Sequence, residues 1–191
     1  MRGILTRTAV LLAATLGMVG CATAAASSGP THPQHVYLSI ATGGMLGVDE
    51  NLGPAYVPSS FALPANSDVT VTVSNFDDAT PLTSALVSYA KATDIEGSFA
   101  VETMDPTKPN DPGVLTTATS LDPNNVSHTF TISKLGINVP ISPKAKTTFT
   151  FHTPAAGTDD WRCFDPCGAG ASGWQGAMAL PGRMSGQVTF E

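Results

Sequence analysis

The sequence predicts an all-β protein, a β-sandwich or barrel. Three observations point there. Apolar and polar residues alternate with a period of two through several short segments, most cleanly in DVTVTVSNF (68–76), where Val69, Val71 and Val73 share a face. Pro, Gly, Asn and Asp collect between those segments, as turns require. No segment sustains a convincing helical period; TPLTSALVSYAKA comes nearest and reads as a short helix or an irregular strand.

The N-terminus stands apart from this pattern. MRGILTRTAVLLAATLGMVGC begins with two arginines and continues with an apolar run, residues 9–19, that is too short to span a bilayer. Residues 1–20 are therefore expected to be an export signal. The run ends in MVGC, which resembles a bacterial lipobox, and the resemblance makes Cys21 the lipidated first residue of the mature chain. Cleavage after ATA or AAA, releasing a secreted protein, is the alternative. Residues 21–34 are small, polar and proline-bearing and read as a flexible tether.

One domain then fills residues 35–191, a length that suits a single core. Its first strand is HVYLSIA (35–41). Two loops follow, GGMLGVDENLGPAYVPSS and, beyond the 68–76 strand, MDPTKPNDPGVLTTATSLDPNN. SHTFTI (127–132) sets His128, Phe130 and Ile132 on one face. TTFTF (147–151) does the same for Phe149 and Phe151, and DDWRCF (159–164) for Trp161 and Cys163. GQVTF (186–190) is the last strand. The acidic pairs Asp77–Asp78 and Asp159–Asp160 read as solvated turn residues.

Charge and chemistry narrow the function. Without Arg2 and Arg7 the mature chain keeps seven of nine basic residues against fifteen acidic ones, a net charge of −8. That argues against nucleic acid and against a polybasic membrane contact. No paired acid and base, nucleophile with a base, or phosphate-binding loop is visible, so no enzymatic activity is expected. With Cys21 assigned to lipid, Cys163 and Cys167 remain, in WRCFDPCGAGASGW. Export places them where a disulfide is permitted. Four residues apart across a turn, they can meet disulfide geometry, and so short a closed loop contributes on the order of 2 kcal/mol.

The segments ALPANSDVTVTVSNFDD, NNVSHTFTI, TTFTFHTPAAGTDDWRCFDPCG and GAMALPGRMSGQVTFE together resemble a cupredoxin domain over roughly residues 35–191. The resemblance implies a Greek-key β-sandwich of about seven or eight strands and a copper site at one end. The ligand loop is similar to the binuclear purple-copper loop of cytochrome c oxidase subunit II, C-x-x-x-C-x-x-x-H-x-x-M. Cys163 and Cys167 match its bridging cysteines and His128 its upstream histidine. Ala171 stands where the second histidine belongs and Trp174 where the methionine belongs. Asp165 falls where that site uses a backbone carbonyl. The loop is thus a degenerate purple-copper loop, and Met178 or Met184 lies close enough in sequence to supply a thioether. Without the resemblance, His128 reads as a buried histidine bonded to a backbone carbonyl, and the two methionines as packing. His152 should face solvent, and His32 and His35 belong to the tether or its end.

Two functions follow as expectations. In the first, an exported protein on the outer face of a bacterial membrane binds copper through His128, Cys163 and Cys167, with Met178 or Met184, for capture, delivery or electron transfer. Its partners would be a redox or copper-trafficking protein and, through the lipid anchor, the membrane. In the second, a metal-free module uses a Cys163–Cys167 disulfide as a staple and binds another protein.

Overall fold

The computed structural model describes residues 34–105, 107–108 and 112–191. The export signal, Cys21 and all but the last residue of the tether lie outside the described residues. Among the described residues, no helix is long and apolar enough to cross a membrane.

Among the described residues, eleven strands form two sheets. The first holds β1 (Gln34–Ala41), β2 (Ala55–Val57), β4 (Asp68–Asn75), β5 (Phe99–Thr103), β6 (Leu115–Ala118) and β9 (Ala145–His152), in the order β2-β1-β4-β9-β5-β6. The second holds β3 (Phe61–Leu63), β7 (His128–Ile132), β8 (Ile137–Ile141), β10 (Gly157–Arg162) and β11 (Ser185–Phe190), in the order β3-β11-β10-β7-β8. The β1–β4 and β3–β11 pairs are parallel, and the other pairs are antiparallel. Strands β7 and β8 form a hairpin, β9 crosses to the other sheet, and β10 returns beside β7. That return is a Greek-key connection.

The expected seven or eight strands become eleven for identifiable reasons. β2 and β3 are three residues each, within or just after a segment that reads as loop. β6 is an edge strand with mostly exposed side chains, so it shows no apolar face. β8 is buried on both faces, and INVPI accordingly lacks alternation. The first expected loop also contains α1 (Gly43–Leu46), whose N-cap Thr42 accepts a hydrogen bond from the Met45 N–H at 3.3 Å. In TPLTSALVSYAKA only Val87–Ala90 turns as a 3-10 helix.

The core lies between the sheets, where the period-two segments meet. β4 contributes Val69, Val71 and Val73, β9 Phe149 and Phe151, β7 Phe130 and Ile132, and β11 Val188 and Phe190, all buried. Each such side chain stabilises the fold by roughly 1.5–3 kcal/mol through the apolar surface it removes from water. Phe130 packs its ring 5.8 Å from that of Trp161 and 5.6 Å from that of Phe149. Trp161 is fully buried because its indole N–H finds the Ser59 carbonyl at 2.8 Å. Cys163 belongs to the same buried cluster as these rings.

Candidate metal centre

His128 is the first residue of β7 and pairs in register with Ile141 of β8, so its backbone is fixed by the sheet. Cys163 follows the last residue of β10, and its N–H donates to the Met184 carbonyl at 2.8 Å. Thr129 then ties the two strand ends together. Its N–H donates to Cys163 Sγ at 3.3 Å, its Oγ1 accepts from the Phe164 N–H at 2.8 Å, and its carbonyl accepts from the buried Tyr56 hydroxyl at 3.0 Å. Beyond Cys163 the chain turns sharply, with the Cys167 N–H donating to the Asp165 carbonyl at 2.8 Å. A small excursion follows, in which Ala169 pairs with Gln175. The 3-10 turn Gly176–Met178 then brings the Met178 Sδ to 3.4 Å from Cys167 Sγ.

One ligand atom each from His128, Cys163 and Cys167 lie within 4.8 Å of one another. His128 and Cys163 are fully buried and Cys167 is half-buried. The sulfurs stand 3.9 Å apart as separate thiols, nearly twice the ~2.0 Å of a disulfide bond. Both ring nitrogens of His128 lack an aligned hydrogen bond. A buried imidazole with no aligned hydrogen bond, beside two thiols and a thioether, is a donor set that fits copper.

The charges in this cluster are coupled. Burial works against a charged His128 ring, but the Asp77 carboxylate and the Cys163 sulfur outweigh it and push its pKa up to about 9. Asp77 Oδ2 lies 3.3 Å from His128 Nε2, close enough for an ion pair though not aligned as a hydrogen bond. Asp77 is itself held below the usual carboxylate range: burial opposes this, and the His128 contact prevails. Burial likewise disfavours a Cys163 thiolate, but the Cys167 thiol and the imidazolium lower its pKa well below that of an ordinary thiol. Cys167 is pushed well above, since the second thiol cannot readily ionise beside the first. Asp165 is fully buried with both carboxylate oxygens unpartnered; burial first, then the neighbouring Cys163 sulfur, raises its pKa to about 8.

Of the two methionines named from sequence, Met178 brings its thioether to the cluster, whereas Met184 is buried and reaches Cys163 through its backbone carbonyl. Ala171 is exposed near the tip of the excursion. Trp174 is half-buried, with the Arg162 guanidinium 5.6 Å from its ring. His152 faces solvent and contacts Asp68 at 2.7 Å, and His35 stacks on Tyr37, away from the cluster. Two acidic residues depart from the turn reading. Asp77 reaches His128, held there because the Asn75 side chain accepts the Asp77 N–H and donates to the Ser142 carbonyl. Asp159 is a buried strand residue paired with Lys134. Tyr56 and Thr129 complete the set that sequence reasoning passed over. The only hint of the latter was its place beside His128.

No protein-family profile and no curated protein matches the chain. Solved structures similar to it include reduced auracyanin of Roseiflexus castenholzii, 16% identical, with 84% of this chain and 99% of that chain covered and a TM-score of 0.37. A purple cupredoxin of Nitrosopumilus maritimus is 12% identical over 82% of this chain and 99% of its own, with a TM-score of 0.31. Auracyanin A of Chloroflexus aurantiacus, described as a blue copper protein, is 11% identical over 84% and 100%, with a TM-score of 0.37. Such scores support no inference about chemistry. The chain's own sheet order is what makes the domain cupredoxin-like, since the histidine strand β7, the cysteine strand β10 and the final strand β11 lie side by side, as the motif segments imply.

Proposed function

We propose that the protein is an exported copper-binding protein that holds one cuprous ion for capture or delivery. The observation supporting this most directly is the convergence of two thiols, a buried imidazole without an aligned hydrogen bond and a thioether within one cluster. The ligands would be Cys163, Cys167 and His128, with Met178 as the further soft donor. A bound copper ion would supply a Lewis-acidic, redox-active centre. Zinc sites also use cysteine and histidine, but a thioether beside the thiols favours the softer ion. Three sulfurs also suit retention of cuprous ion better than rapid cycling between oxidation states. Binding would release protons from His128 and from Cys167, because only the neutral imidazole and the thiolates coordinate. A copper-trafficking or redox protein is the expected partner, and a lipidated Cys21 the expected anchor.

The test is direct. The full chain, reduced and without oxygen, is given cuprous ion, dialysed against a cuprous chelator, and assayed for metal and free thiol. One copper per chain, with both thiols protected from alkylation, is the expected result. Free thiols without copper in a folded protein would refute the reading.

A further inference from the structure

A polar cleft of about 220 Å³ opens onto the centre from one side, bordered among others by Thr42, Glu50, Asn51, Asp77, Thr80 and Cys167. Its wall is built tightly. Gly176, with φ of 59°, approaches the Asn51 carbonyl so closely that a Cβ there would lie 1.9 Å from the oxygen, which locks the turn Glu50–Leu52 against the turn that holds Met178. His128 and Cys163 have no exposed surface. Cys167 and Asp77 each have a side in the cleft and a side in the cluster. The charged side chains lining the cleft are both acidic, Glu50 and Asp77, and Asp77 touches the His128 ring.

We propose that this cleft is the route by which metal reaches the centre, and that it admits a soft monovalent cation, which meets the Cys167 sulfur first. The inference rests on the copper reading above and adds the path and the charge of the species taken up. Glu50 and Asp77 draw the cation into the cleft. Cys167 captures it, releasing the thiol proton as the metal–sulfur bond forms. Cys163, 3.9 Å beyond, becomes the second ligand. Asp77 gives up its contact with His128 when the ring nitrogen takes the metal. The same field repels anionic copper chelates, so these transfer only after the ion dissociates.

Silver(I) is a suitable probe, being soft, monovalent, stable in water and inert to thiol oxidation by electron transfer. Stopped-flow mixing of the reduced full-length protein with silver nitrate in nitrate buffer reads the growth of ultraviolet thiolate-to-metal absorbance. Glu50→Gln keeps the acceptor for the Gly44 N–H and removes the charge. It should slow uptake about fourfold in low salt, the effect of one unit charge about 5 Å away in water. Thr80→Lys, at the rim, should slow it by at least as much, and added salt should narrow the difference. Asp68→Asn, the same loss of charge at the opposite end of β4, should leave the rate alone. Full final absorbance with Glu50→Gln and Thr80→Lys rates equal to the parent's overturns the route and leaves the metal centre standing. Absence of the band at saturating silver, with thiols free and the fold intact, overturns the centre and the route together.

Discussion

Asp165 offers the sharpest test of the electrostatics. Its carboxyl is fully buried, neither oxygen has a partner, and its pKa rises from 3.8 to about 8. The folded protein therefore keeps a proton on Asp165 that the unfolded chain releases near pH 4. A group raised in this way contributes its full stability below pH 4 and loses it as pH climbs to about 8. Each pH unit in that window removes about 1.4 kcal/mol, so between pH 5 and pH 7 the metal-free protein should lose about 2–3 kcal/mol through this residue alone. Asp165→Asn retains the shape and cannot ionise. His128, raised to about 9, adds its own loss chiefly above pH 6.5 and is common to both proteins. Urea unfolding of parent and variant, reduced and metal-free, at pH 5 and pH 7 isolates the difference. The variant should gain about 2–3 kcal/mol on the parent between those two pH values. Identical pH slopes would show that the Asp165 carboxyl is hydrated or ionised in the fold, and the reasoning fails.

Two further outcomes follow from the contacts of the centre, and a third from the N-terminal sequence. Tyr56→Phe removes the donor to the Thr129 carbonyl and should cost about 1–3 kcal/mol of unfolding free energy, measured by denaturant titration, because the carbonyl is left buried and unpaired. Met178→Leu conserves volume and should change stability by less than about 1.5 kcal/mol while weakening retention of cuprous ion against a chelator. If retention is unchanged, the thioether is not a ligand. Cys21→Ser should move the protein from the membrane to the soluble fraction, and equal membrane recovery would remove the lipid anchor.

Much of this structure is legible in the residues, and the limits are physical. Alternation gives the inward faces of β4, β7 and β9 because each strand has one apolar side set against the opposite sheet. It cannot give β8, whose INVPI is buried on both sides, or β6, which is exposed at an edge. Cys163 and Cys167 are visible through a short spacing. His128 is visible through its phase with Phe130 and Ile132, together with a family resemblance. Asp77 is invisible for the opposite reason: its link to His128 spans fifty-one residues of chain, and NFDD after a strand looks like any polar turn. The methionine is misplaced when the loop is read against a fixed spacing. The excursion through Ala169–Gln175 puts position 171 in solvent and delivers the thioether from position 178. An imidazole introduced at Ala171 would therefore start from the exposed tip rather than from the cluster.

The Thr129 amide aimed at Cys163 sulfur has a practical consequence. Cuprous ion has a filled d shell and gives no visible band, so occupancy of such a centre is hard to follow by eye or by electron resonance. An N–H that shares its hydrogen with a thiolate senses how much electron density that sulfur retains. Metal bonding withdraws part of it, and the amide proton should shift upfield as its hydrogen bond weakens. If the centre takes up cuprous ion as proposed, Thr129 would serve as an internal indicator, readable in a nitrogen-15 correlation spectrum, that reports loading of a colourless ion from one backbone resonance.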